Sequence, residues 1–117
     1  MNRFAPFIAL FVATGVANAT PYDGLYRPDA QWAETWDCKT IGLDGGAMSI
    51  AGDIYTSVEN QCTLTKPTAI RDMDATLYDA ECSAEGDDYF YRLMILETDT
   101  GVTIISNGYA AAWKSCQ

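Results

Sequence analysis

Apolar and polar residues alternate in short runs along most of the chain, and Gly, Asp and Asn interrupt the runs at short intervals. That pattern predicts strands joined by tight turns, with little helix. Residues 25–27 open the series after Asp23-Gly24. Residues 48–51 follow the turn Asp44-Gly45-Gly46, and Gly52-Asp53 turns the chain into residues 54–58. Residues 62–65 form the next strand, stopped by Pro67. Residues 76–82 place Tyr78, Ala80 and Cys82 on one face and Asp79 and Glu81 on the other. Residues 89–97 alternate least and are expected to be central in the sheet or packed on both faces. Residues 102–106 and 109–114 flank Asn107-Gly108, the strongest hairpin signal in the chain. One short helix is expected at residues 28–36, where Pro28 suits a helix start and Trp32 and Trp36 share a face.

Seven or eight short strands with local connections predict an all-β fold, a small antiparallel meander. It closes as a barrel, lipocalin-like in its up-and-down order, or flattens into a sandwich. Residues 20–117 are read as one domain. Residues 1–19 read as a secretory signal peptide: Arg3 leads, residues 4–16 are apolar, and Ala17-Asn18-Ala19 is a small-x-small cleavage site. The apolar run falls short of the roughly 20 residues a membrane span requires, so no span is expected after signal removal. No cysteine follows the cleavage site to carry a lipid.

Composition narrows the compartment and the partners. The chain has 16 acidic and 7 basic residues, a formal net charge of −9, and no histidine. Such acidity argues against nucleic acid and anionic membranes, both of which select basic patches, and permits a basic partner. All four cysteines, Cys38, Cys62, Cys82 and Cys116, follow the signal segment. An even count in a small exported domain predicts two disulfides and an oxidising compartment, the bacterial periplasm or the medium.

Two stretches mirror each other: Glu59-Asn60-Gln61-Cys62 and Cys82-Ser83-Ala84-Glu85. If the strands pair with Cys62 opposite Cys82, Leu64 faces Ala80 and Glu59 faces Glu85. Inward cysteines then put both glutamates outside. Like charges in direct opposition are destabilising. A cation, or Arg92 or Arg71, would relieve them. Glu59, Glu85 and Arg92 are therefore the candidate ligand or partner residues; a plain ion pair or a bulge that separates the glutamates is the structural alternative. The same register favours Cys62–Cys82 with Cys38–Cys116. The pairing Cys38–Cys62 with Cys82–Cys116 stays open as its rival.

Much chemistry is missing. Without histidine there is no Ser-His-Asp or Cys-His set and no histidine-based metal site. No CxxC, GxGxxG or P-loop occurs. Asp72 with Asp74, and Asp87 with Asp88, do not match a calcium loop. No catalytic residue, metal or cofactor is expected. The tryptophans Trp32, Trp36 and Trp113 and the seven tyrosines are numerous for this length. They suit core and rim packing, or an apolar ligand surface at a barrel mouth.

The order Gly24-x-Tyr26, Trp36-x-Cys38, Glu59-x-x-Cys62, Cys82-x-x-Glu85-Gly86, Cys116 resembles a loose group of small exported bacterial all-β proteins. The resemblance implies a periplasmic β-domain and brings no activity with it. At the level of class alone, the chain is similar to periplasmic lysozyme inhibitors, whose inhibitory motif matches no stretch here. The expectation is an exported, non-catalytic binding or structural module with an unknown protein or small ligand as partner. An inhibitor of a basic cell-wall hydrolase and a small-ligand carrier are the alternatives.

Overall fold

The computed structural model describes residues 19–116, so the expected signal segment lies outside the described residues, apart from Ala19. The strands are β1 (Gly24–Pro28), β2 (Met48–Ala51), β3 (Ile54–Ser57), β4 (Asn60–Ala69), β5 (Ala75–Ala84), β6 (Asp87–Glu97), β7 (Gly101–Ser106) and β8 (Tyr109–Ser115). Each pairs antiparallel with the next. β8 returns to β1 through Tyr26↔Ser115, Arg27↔Lys114 and Pro28↔Trp113, which closes an eight-stranded barrel. The alternation explains the closure: one face of every strand must leave water, and a curled sheet supplies its own interior.

That interior is filled through its middle. Ile50, Leu64, Leu93, Ile95, Val102 and Ile104 are buried together with the Cys62–Cys82 disulfide. Each large apolar side chain so buried contributes about 1.5–3 kcal/mol. Gly101 starts β7 against the backbone of β8, where an added Cβ would stand 2.0 Å from the Trp113 carbonyl oxygen.

Three expectations are corrected. β6 does not pack on both faces: Leu93 and Ile95 are buried, whereas Phe90, on the other side, is 79% exposed. A single-layer barrel has one inside and no second layer to cover the outer residues. β4 does not stop at Pro67 but runs on to Ala69. Its pairing slips from Thr65↔Asp79 to Thr68↔Leu77, with Lys66 at φ 52°. In that bulge Pro67 owes no ladder hydrogen bond. The helix at residues 28–36 reduces to one 3-10 turn, Gln31–Ala33, because Pro28 closes β1 and the Asp29 amide still bonds the Ala112 carbonyl across the seam. Trp32 and Trp36 nevertheless meet edge-on at 6.2 Å between ring centroids.

The long connection from β1 to β2 is strapped to the barrel. The Arg27 guanidinium, on β1, donates to the Glu34 carbonyl at 2.8 Å and pairs with its carboxylate at 3.0 Å. Lys114 on β8 reaches the same carboxylate at 3.6 Å. Cys38 is then bonded to Cys116, so the favoured disulfide pairing is the one found. Two disulfides fit a secreted or extracellular protein. Among the described residues, no helix is long and apolar enough to cross a membrane.

The two ends of the barrel differ. One carries the β2–β3, β4–β5 and β6–β7 turns, and Tyr22 plugs it. Tyr22 is 2% exposed, its hydroxyl bonds Thr76 Oγ1 at 2.8 Å, and its carbonyl accepts from the Tyr26 phenol. Asp23 holds the plug in place by accepting from Thr20 and from the Gly52 amide. The other end carries the β1–β2 connection and the three remaining hairpin turns.

Candidate ligand-binding site

The sequence pointed to Glu59, Glu85 and Arg92. The register it assumed is present, with Cys62↔Cys82 and Leu64↔Ala80 in direct opposition. The ladder ends at Gln61↔Ser83, however. Glu59 and Glu85 lie beyond it, each in its own hairpin turn, at φ 55° and 52°. The mirror in the sequence is thus two hairpins placed symmetrically about one disulfide, and the glutamates do not form a ladder pair. Arg92 faces Asp79 across β5 and β6 and pairs with its carboxylate at 3.2 Å. Lys66 joins the same carboxylate at 3.8 Å. The three candidates therefore do not assemble into one site. A left-handed conformation costs a non-glycine residue about 1–2 kcal/mol, which asparagine partly escapes. Glu85→Asn is therefore expected to raise the unfolding free energy by about 0.5–1 kcal/mol, read by urea denaturation; a loss of stability would mean that the glutamate makes a contact worth more than its strain.

A different site emerges at the unplugged end. Residues at inward positions there are aromatic: Tyr55 from β3, Tyr91 from β6, and Tyr109 and Trp113 from β8. Trp32 of the strap completes the ring. These five line a mouth of about 560 Å³ together with Pro28, Asp29, Met48, Ser57 and Asn60. Trp32 and Tyr109 are 69% and 63% exposed, whereas Tyr55 and Trp113 are 4% and 6% exposed, so the rings run from rim to floor. Tyr55 and Trp113 stack at 5.2 Å with 22° between planes. Tyr89 stacks on Tyr91 and donates its hydroxyl to Asn60 Oδ1, fixing the neighbouring wall.

The floor also has a polar handle. The Tyr55 phenol lies close to the Tyr91 and Ser57 hydroxyls. Burial pushes the Tyr55 phenol far above its ordinary range; Tyr91 adds to the rise, and Ser57 works against it. Burial likewise raises Tyr91, opposed by Tyr55. Both hydroxyls stay neutral donors and acceptors at physiological pH. A half-enclosed, mainly apolar hollow with a few convergent polar groups is the usual form of a small-molecule site, and its volume lies in the usual range of about 300–1,000 Å³. A second hollow, of about 460 Å³, lies at the plugged end; turn residues including Glu97, Thr98 and Asp99 wall it, with Tyr26 as its one ring. Chemically it offers far less.

Comparison of the chain with protein-family models, with curated proteins and with solved structures gives no match. The site's chemistry rests on the residues alone.

The mouth was partly legible. Period two puts Tyr89 with Tyr91, and Tyr109 with Trp113, on one face of their strands. What no local pattern gives is that β3, β6 and β8 bring those faces to the same end of a closed ring.

Proposed function

We propose that this protein is an exported, non-catalytic binding module that takes a small, largely apolar ligand in the aromatic mouth of its barrel. The observation that carries this reading is the graded wall of five aromatic rings around an open hollow, above a core that is otherwise filled. Exposed Trp32 and Tyr109 cost free energy in water, and a ligand seated between them removes that cost. The reactive groups at the floor are phenols that stay neutral, and the one carboxylate of the lining, Asp29, is exposed at its lip. The paired cysteines support export to an oxidising space such as a bacterial periplasm. A neutral fluorescent probe, N-phenyl-1-naphthylamine, is expected to bind saturably, one per chain. The double variant Trp32→Ala/Tyr109→Ala should weaken it by about fivefold or more, since each aromatic contact is worth about 0.5–1.5 kcal/mol. Non-saturable uptake, equal in both proteins, would remove the reading.

A second reading is favoured by charge. The turns around the mouth carry Glu59, Glu85, Asp87 and Asp88, and the chain's net charge is −9. An acidic rim would steer a basic cell-wall hydrolase toward the barrel. Undiminished lysozyme activity in the presence of micromolar protein rejects inhibition.

A further inference from the structure

The aromatic mouth carries more than apolar surface. Its lining includes one carboxylate, Asp29, and no lysine or arginine. The hairpin turns at the same end, 57–60, 84–87 and 106–109, also contain no basic residue. Of the basic side chains on the adjoining strands, Arg27 and Lys114 share the Glu34 carboxylate, which offsets one of their two charges, and Arg92 on β6 is paired with Asp79. The geometry points to an organic cation as the ligand, an alkylated ammonium group held among the rings with Asp29 at the lip. This rests on the mouth being a ligand site and adds which ligand it selects.

The physical argument has three parts. Indole and phenol faces attract a cation through their quadrupoles, by about 0.5–2 kcal/mol per ring when water is excluded. An alkylated ammonium sheds its weak hydration easily, so an apolar hollow costs it little; a metal ion or a bare ammonium would lose far more. Asp29 supplies the opposite charge at the rim, where it stays exposed and solvated. A neutral apolar ligand would use the same rings but gain nothing from Asp29 or from the acidic turns. An anion would meet Asp29 at the lip and the acidic turns at 57–60 and 84–87.

The test pairs choline with its neutral carbon isostere, 3,3-dimethylbutan-1-ol, on the disulfide-bonded protein at matched ionic strength. Tryptophan fluorescence and the indole N–H signals in a nitrogen-15 NMR spectrum report occupancy. Choline is expected to bind about tenfold tighter than the isostere, the difference a single good cation–ring contact supplies. Asp29→Asn should weaken choline severalfold and leave the isostere unchanged. Trp32→Ala should weaken both, with the greater loss for choline. Both positions are exposed, so an unchanged circular dichroism spectrum is expected for each variant. Equal or tighter binding of the isostere overturns the cation preference and leaves the mouth an apolar site. Failure of choline to shift any indole signal overturns it as well, and then binding of the neutral naphthylamine decides separately whether the mouth is a site at all.

Discussion

A chain with all four cysteines replaced by alanine is expected to be unfolded at about 37 °C, the usual outcome when a small exported domain loses its native cross-links. Cys38–Cys116 closes 78 residues and Cys62–Cys82 closes 20. Restriction of the unfolded chain by loops of those lengths is worth about 4.5 and 3.3 kcal/mol respectively. Domains of this size hold only about 5–15 kcal/mol in total. The single pairs separate two effects. Removing Cys38–Cys116 frees the strap, and its loss is entropic. Removing Cys62–Cys82 takes sulfur out of the core, where the two cysteines are 1% and 4% exposed, so a packing deficit adds to the lost cross-link. Urea denaturation of each variant gives the values. A loss below about 1 kcal/mol for the Cys38–Cys116 variant would show that the Arg27–Glu34 contacts hold the strap unaided.

The second large effect is alkaline unfolding. Tyr26, Tyr55, Tyr78 and Tyr91 all hold their protons more tightly in the fold than a free phenol does, each chiefly because it is buried. Asp23 and Glu97 add to the rise at Tyr26, and Tyr22 to that at Tyr78. Below about pH 10 both states are protonated and the four contribute no pH dependence. Above it the unfolded chain releases protons that the fold retains. Unfolding is then favoured as pH rises, up to the raised values of the folded state. Each proton that the fold retains and the unfolded chain has released removes about 1.4 kcal/mol per pH unit, and Tyr55, with its large rise, sustains that slope over the widest range. Urea midpoints measured across this range, with phenolate absorbance as a second reading, should fall together. Tyr55→Phe should flatten the fall. Stability that held level from about pH 9 to 12 would contradict the burial of these phenols.

The sequence carried the fold further than the site. Alternation at Tyr78, Ala80 and Cys82 sets one face inward, and Cys62 placed opposite Cys82 sets the register found from Gln61↔Ser83 to Thr65↔Asp79. Beyond Thr65 the bulge shifts the pairing by one residue, an event that Lys66 and Pro67 mark only once the partner strand is known. Residues 89–97 read as doubly buried because Met94 and Leu96 are apolar; a barrel wall leaves such residues half-covered on its outside. The glutamate mirror misled for a related reason. Strand pairing was extended two rungs past its end, into turns whose backbone leaves the ladder at Glu59 and Glu85. The mouth eluded local reading because its rings lie far apart in the chain, and only the closure of β8 onto β1 gathers Trp32, Tyr55 and Trp113.

That closure also limits how a protein partner engages this molecule. Every strand has a neighbour on both sides over part of its length, but β6 pairs with β7 only from Leu93 to Glu97 and β4 pairs with β3 only from Asn60 to Thr63, so residues 87–92 and 65–69 run past those ladders with a strand on one side. Recognition by strand addition, in which an extended peptide joins a sheet, is confined to those two short overhangs, and the same holds for edge-to-edge aggregation. Over the rest of its wall, the barrel meets a partner through side chains.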